Sequence, residues 1–145
     1  MEVVEYVGFM ALLSILCIVI MIYVLGEVGS LPSYTEVYFQ DAFEKMSKKR
    51  IGDEIVFTIR NMEGAPVNYS YNVTAYNLSQ GEDSAIEVAS GMVNVGDTQS
   101  SNITFNIPKK HFLYILNSEK PVLHIIISKE GHVGTYRELR RMIID

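Results

Sequence analysis

Cysteine, tryptophan and early positive charge are scarce in or absent from this sequence. Its one cysteine, Cys17, lies inside a long apolar run, so the rest of the chain has neither a disulfide nor a thiolate metal site. Tryptophan is absent, and no lysine or arginine precedes Lys45. A domain without disulfides depends on its hydrophobic core for stability, and without flanking positive charge the positive-inside rule gives no orientation for the run.

Patterns typical of catalysis are also missing. His111, His124 and His132 lack the spacing of metal ligands, and there is no phosphate-binding loop and no G-x-S-x-G motif. We therefore expect no enzyme, no metal and no cofactor. His124 lies between apolar residues of a predicted strand, which indicates a structural or surface residue rather than a ligand.

The charge balance is acidic, with a formal net charge of −5. All 12 basic residues follow the apolar run, as do 15 of the 17 acidic ones, because only Glu2 and Glu5 precede it. Nucleic-acid-binding domains usually carry a basic surface, so we expect no nucleic-acid partner.

The main feature present is the apolar run from Tyr6 to Leu25, which holds no charged residue. As a helix, Val7 to Leu25 spans about 28 Å, close to the thickness of a bilayer's hydrocarbon core. The acidic head and the lack of an A-x-A cleavage site favour a retained anchor over a cleaved signal peptide. We predict a transmembrane anchor over residues 1–26, with Tyr6 and Tyr23 at the two interfaces, a linker over 27–33 and one domain over 34–145.

Small residues at a spacing of three, Gly8, Ala11 and Ser14, lie in this run. They are ordinary in a membrane helix and also typical of a helix-packing face. Glu5 at the start of the apolar helix resembles the mature start of type IV pilins and archaeal filament subunits. That resemblance implies a helix packed in a fibre core, where Glu5 would need a buried partner.

The chain after residue 33 is predicted to be a β domain. Val67–Ala75 alternates most clearly, with Tyr69, Tyr71 and Val73 on the inward face and polar residues outward. Other strands are predicted over Tyr34–Gln40, Glu54–Arg60, Ala85–Ala89, Met92–Val95, Ser101–Ile107, Pro121–Lys129 and, in preference to a helix, Tyr136–Asp145. Asp41–Arg50 is a loop or one helical turn, Leu78–Ser84 is a loop, and Lys109–Ser118 is a short helix or a crossing loop.

About seven short strands at spacings near ten residues, with no long helical period, predict an all-β immunoglobulin-like sandwich after a single N-terminal transmembrane helix. The Cys–Trp–Cys core of antibody domains is missing, so that subtype is excluded.

Four N-x-S/T sequons mark the surface of the predicted domain, at Asn68, Asn72, Asn77 and Asn102. Strand alternation places Asn68, Asn72 and Asn102 on outward faces, and Asn77 in the loop beyond. If they are glycosylated, the domain lies outside the cell and the sugar-bearing sheet faces solvent.

The motifs of the domain resemble those of an archaeal family of membrane proteins with one extracytoplasmic immunoglobulin-like domain. The resemblance is carried by Tyr34, Thr35 and Glu36; Gly52, Asp53 and Glu54; Asn61, Glu63, Gly64, Pro66, Val67 and Tyr69; Ile107 and Pro108; and Tyr136, Arg137 and Leu139. These are turn and strand residues, so the resemblance implies a fold and no catalytic residues. The architecture is also similar to that of accessory proteins of the archaeal flagellum.

Together these features predict a membrane-anchored, non-catalytic envelope scaffold or binding protein, whose partners are membrane lipid and a surface-layer or other envelope protein. One alternative is a pilin-like subunit that self-associates in a filament. A further alternative is an accessory subunit of a larger membrane complex.

Overall fold

A computed structural model describes residues 2–28, 33–41 and 45–145; within the first helix, side chains are described only at residues 7–24 and 26. The chain divides into two compact units, Met1–Ser33 and Tyr34–Asp145. The predicted roles of the Glu5 and Tyr6 side chains, and most of the predicted linker, lie outside the described residues.

The first unit is helix α1, Glu2–Val28. Its segment Val7–Val24 has a mean hydropathy of 2.8, and none of these side chains is buried. By length and composition, the helix is sufficient to serve as a membrane anchor or as a signal sequence.

The second unit is a mostly β domain with two sheets. The three-stranded sheet has the order β1-β3-β6, and the five-stranded sheet has the order β2-β8-β7-β4-β5. Among the described residues, all strand pairs are antiparallel except β2 and β8, which are parallel. The strands are β1 Tyr34–Phe39, β2 Lys45–Ser47, β3 Ile55–Met62, β4 Val67–Asn77, β5 Ile86–Val95, β6 Ser100–Phe105, β7 Pro121–Lys129 and β8 Arg137–Ile144, and helix α2 is Phe112–Asn117.

The core contains side chains of both sheets, as expected for a sandwich. Phe57 of β3 is fully buried, and its ring lies edge-on to Tyr71 of β4 at 5.6 Å and to Phe105 of β6 at 6.1 Å. The inward alternation predicted for β3 and β4 is confirmed, since Ile55, Phe57, Ile59, Tyr69 and Val73 are all buried. The strand prediction for the tail is confirmed as well.

Three predicted boundaries are wrong, each because of a long-range pairing. β4 continues to Asn77 rather than ending at Ala75, since Tyr76 and Asn77 pair with the start of β7. The segment Asp41–Arg50 does contain the predicted helical turn, at Lys48–Arg50, but Lys45–Ser47 form strand β2 by pairing in parallel with the distant β8. The predicted break at Ser90–Gly91 does not exist, because β5 pairs with β4 straight through it.

Gly91 has a packing reason to be glycine. A Cβ atom there would lie 2.5 Å from the hydroxyl oxygen and 2.7 Å from Cζ of Tyr71, which is paired with it across β4 and β5. The ring of Tyr71 therefore occupies the space that a side chain would need.

Replacement of Gly91 by Ala is expected to destabilise the domain. Alanine lowers the conformational entropy of the unfolded chain, which stabilises the folded domain by about 0.4–1 kcal/mol. Overpacking against the Tyr71 ring destabilises it by about 1–3 kcal/mol, so the net effect should be a loss of stability. Thermal unfolding measures the difference, with Ser90→Ala as the exposed neighbouring control. In a Tyr71→Ala background, Gly91→Ala should cause no further loss of stability, because the ring that it would contact is gone. A Gly91→Ala variant of the otherwise wild-type chain that is as stable as wild type would contradict this account.

Candidate functional site

The outer faces of the sheets carry three of the four predicted sequon residues. Asn68 and Asn72 on β4 and Asn102 on β6 are all exposed. Among the described residues no hydrogen bond involves the Asn72 side chain, which lies beside Ser90 of β5 and Ile126 of β7. The Oδ1 of Asn102 accepts a hydrogen bond of 2.9 Å from Thr58 Oγ1, which does not use its amide nitrogen.

Asn68 is exposed but engaged. Its Nδ2 donates to Glu130 Oε2 at 2.6 Å, and its Oδ1 accepts from Asn94 Nδ2 at 2.6 Å. These three side chains line an open depression of about 570 Å³ together with Ser70 and Met92. Modification of the Asn68 amide nitrogen would compete with its contact to Glu130.

Asn77 does not lie in a loop, contrary to the sequence-based prediction. It is the last residue of β4 and only 9% exposed. Its Oδ1 accepts hydrogen bonds from the backbone N–H groups of Ser79 and Lys120, both at 3.3 Å. The side chain therefore joins the end of β4 to the start of β7, and burial makes it a poor acceptor for a glycan in the folded domain.

The predicted residues of the anchor are distributed along α1. Gly8, Ala11, Ser14 and Tyr23 are exposed, and no other described residue comes within 4 Å of a Cβ placed at Gly8. The Ser14 hydroxyl donates to the carbonyl oxygen of Met10 at 2.9 Å, which satisfies it within the helix.

A buried carboxylate, Glu63, is the centre of a polar cluster that the sequence analysis missed. Its side chain is 8% exposed and accepts hydrogen bonds from Thr35 Oγ1 at 2.8 Å, from Lys129 Nζ at 2.9 Å and from the Tyr136 hydroxyl. Thr35 also bonds to the Tyr69 hydroxyl at 2.7 Å. No local signal marks this cluster, because these partners of Glu63 lie 28, 66 and 73 residues away in the chain.

The pKa of Glu63 reflects this environment. Burial alone would raise the pKa of the carboxyl, but the hydrogen bonds from Tyr136, Lys129 and Thr35 outweigh it and lower the pKa from 4.5 to about 2. The carboxylate is thus ionised at neutral pH. Its hydrogen bonds connect the end of β3 with β1, with β7 and with the residue that precedes β8, all at one end of the sandwich.

His124 has a structural role, as predicted. It is buried on the outer side of β7, with Nε2 3.1 Å from Glu138 Oε2 and Nδ1 3.9 Å from Glu82 Oε1. Arg140 contacts Glu82 at 2.9 Å and Glu138 at 3.4 Å. The pKa of Glu138 is lowered, first by the hydrogen bond between Glu138 and His124 and then by the charge of Arg140. The cluster fixes the turn at Glu82–Ser84 over β7 and β8.

The free edge of β5 is the other feature that the sequence analysis missed. β5 is the last strand of the five-stranded sheet, and among the described strands only β4 pairs with it. Its segment Ala89–Val95 contains no charged residue and no proline, and Met92 is 86% exposed. The uncharged run was visible in the sequence, but the predicted break at Ser90–Gly91 divided it into two pieces.

No protein-family model and no curated protein matches this chain. Solved structures resemble it at low identity. A β-glucosidase from Listeria innocua in complex with glucose is 12% identical, over 81% of this chain and 17% of its own, with a TM-score of 0.47. The alkylpurine DNA glycosylase AlkC of Pseudomonas fluorescens, bound to DNA containing an abasic site analog, is 10% identical over 77% of this chain and 30% of its own, with a TM-score of 0.41. The apo form of the Calx CBD1 domain is 13% identical over 77% of this chain and 97% of its own, with a TM-score of 0.44.

The β-glucosidase and the DNA glycosylase overturn one prediction, namely that the chain is not an enzyme. That prediction depended on the absence of catalytic motifs from the module. Both the β-glucosidase and the DNA glycosylase are enzymes, and this chain spans only 17% and 30% of their lengths. The prediction that the chain is not an enzyme was therefore wrong.

Proposed function

We propose that this chain is a single-pass membrane protein whose β-sandwich lies outside the cell and binds a protein of the cell envelope. The observation that carries the proposal is α1, whose segment Val7–Val24 is apolar, long enough to span a bilayer and unburied throughout. In water such an apolar surface would promote aggregation, whereas in a bilayer it would be covered by lipid chains. The same chain continues into a compact domain with exposed sequons at Asn72 and Asn102.

The domain part of the proposal is an immunoglobulin-like fold. The strand order supports it: β1-β3-β6 corresponds to strands A, B and E of such domains. The run β8-β7-β4-β5 corresponds to strands G, F, C and C′ of the variable type. With the motif resemblance, this favours a member of the archaeal family of anchored single-domain envelope proteins, with a surface-layer protein as the partner class.

Mass spectrometry of the protein from its native envelope tests the proposal. We expect glycan on Asn72 and Asn102, whose side chains are exposed and whose amide nitrogens are not engaged, and none on Asn77, which is 9% exposed. Asn72→Gln should remove one glycan and leave the modification of Asn102 unchanged, which is the internal control.

Protease protection and the N-terminal peptide complete the test. An outside domain is degraded by protease added to intact cells, and an anchor keeps the start at Met1. Unmodified sequons together with a protected domain would contradict the proposed location. A start processed within the first residues, with the protein recovered in fibres, would favour the pilin-like alternative instead.

A further inference from the structure

We propose that two copies of this chain pair through the free edges of β5, antiparallel, with the two Met92 residues opposite each other on the twofold axis. The paired edges would join two five-stranded sheets into one sheet of about ten strands. The inference depends only on the β domain and not on where the domain lies, so it goes beyond the proposed function.

The first argument is that the segment Ala89–Val95 of β5 is an unprotected edge. Natural edge strands are usually short, or carry lysine, proline or a bulge that prevents pairing. β5 has 10 residues, whereas the opposite edge of its sheet, β2, has 3 and begins with Lys45. β5 carries one bulge: Val88 is an extra residue between Glu87, which pairs with Thr74, and Ala89, which pairs with Val73, and Ala89–Val95 lies wholly on one side of it in regular register. The alternate backbone N–H and C=O groups of this segment that point away from β4 are available to a further strand.

The second argument fixes the register. Ser90, Met92 and Asn94 project to the outer face, opposite Asn72, Ser70 and Asn68 of β4. A twofold axis between two antiparallel strands is perpendicular to the sheet, so residues on the same face must lie opposite each other. Centring the axis on Met92 pairs the whole of Ala89–Val95 with its copy. Ser90 then faces Asn94 of the second copy, and Gly91 faces Val93.

The third argument is that this edge suits a copy of itself. No charged side chain lies in Ala89–Val95, so no like charges meet, and a strongly acidic or basic partner finds no countercharge there. A serine hydroxyl meets an asparagine amide, and two methionines that are each 86% exposed cover one another. The small Gly91, already covered by the Tyr71 ring, faces the larger Val93.

Two lysine variants of the full chain in nanodiscs test the interface. Met92→Lys places two positive charges on the axis, and we expect it to weaken dimerisation at least about tenfold, measured by sedimentation. Asp83→Lys introduces the same side chain at an exposed position outside the paired segment, and should change the dimer dissociation constant less than about twofold. Met92 is exposed in the single chain, so at dilutions where wild type and variant are both monomeric its replacement should leave thermal unfolding of the domain unchanged.

Cysteine cross-linking tests the register. In a Cys17→Ser background, Met92→Cys should form a disulfide-linked dimer on mild oxidation of membranes. Glu87→Cys should not, because the register separates the two copies of residue 87 by about 33 Å at ~3.3 Å per residue. Equal cross-linking of the two variants, or a wild-type chain that stays monomeric, would overturn the proposal. So would a dimer that Met92→Lys leaves intact and Gly8→Leu abolishes, since association would then lie on the helix.

Discussion

Replacement of Glu63 by Gln is expected to lower the free energy of unfolding by about 2–4 kcal/mol at pH 7. The glutamine oxygen still accepts hydrogen bonds, but its NH₂ group points donors at the Lys129 ammonium, which sits 2.9 Å from the carboxylate in the wild type. The Tyr136 and Thr35 hydroxyls also lose a charged acceptor, and such bonds are stronger than neutral ones. Denaturation of the full chain in detergent, followed by tyrosine fluorescence, measures the change without interference from tryptophan.

The same variant should change the response to acid. The folded-state pKa of Glu63, about 2, is below the ordinary value of 4.5, so its stabilisation is present above pH 4.5 and is lost as the pH falls towards 2. Gln has no such titration. The gap in stability between wild type and Glu63→Gln should therefore narrow progressively below pH 4.5.

Glu36→Gln is the matched control. Glu36 pairs with Arg60 at 3.5 Å, and both side chains are more than 40% exposed. Exposed pairs of this kind contribute about 0–1 kcal/mol, so the control should have a small effect that salt screens. An equal loss of stability in both variants, or a pH-independent gap for Glu63→Gln, would show that the cluster does not stabilise the fold through its charge.

Replacement of Phe57 by Ala is expected to cost about 3–5 kcal/mol, because it removes a fully buried ring and leaves a cavity between the sheets. Small domains have total stabilities of about 5–15 kcal/mol, so the variant should be marginal at room temperature. The domain has no disulfide to compensate, since Cys17 lies in α1.

Two controls accompany this variant. Phe57→Leu keeps most of the volume and should cost much less, and Val133→Ala removes a side chain that is 96% exposed and should change stability by no more than about 0.5 kcal/mol. The transition midpoint in urea, at unchanged slope, measures each effect. If Phe57→Ala costs no more than Phe57→Leu, the contact of the ring with Tyr71 is not what joins the two sheets.

Strand identity was largely predictable because alternation is a local property. β3 and β4 have one face against the core and one face towards solvent, so their side chains alternate with a period of two. Strand ends were less predictable. β4 reaches Asn77 because β7 is there to pair with it, and nothing in the residues after Ala75 announces that partner.

Arg141 illustrates how tertiary contacts override a local pattern. In the tail strand Arg141 points inward with Ile143. In the sequence, a charged residue on the apolar face breaks the alternation expected of a strand and so weakens the strand prediction. In the structure its guanidinium lies 3.6 Å from the centre of the Phe39 ring and 2.7 Å from Asp41 Oδ1. Both partners lie about a hundred residues earlier in the chain, so burial of this charge became acceptable only in the folded domain.

By itself, the sequence determined the apolar helix, the mostly β character of the domain and the outward placement of Asn68, Asn72 and Asn102, because each follows from the period or length of a local pattern. The tertiary structure alone decided which strand lies at the open edge, which carboxylate is buried and that Asn77 closes a strand end. These depend on which strands become neighbours. The physical reason is that pairing and burial are properties of residues distant in sequence, and an isolated segment carries no record of its partner.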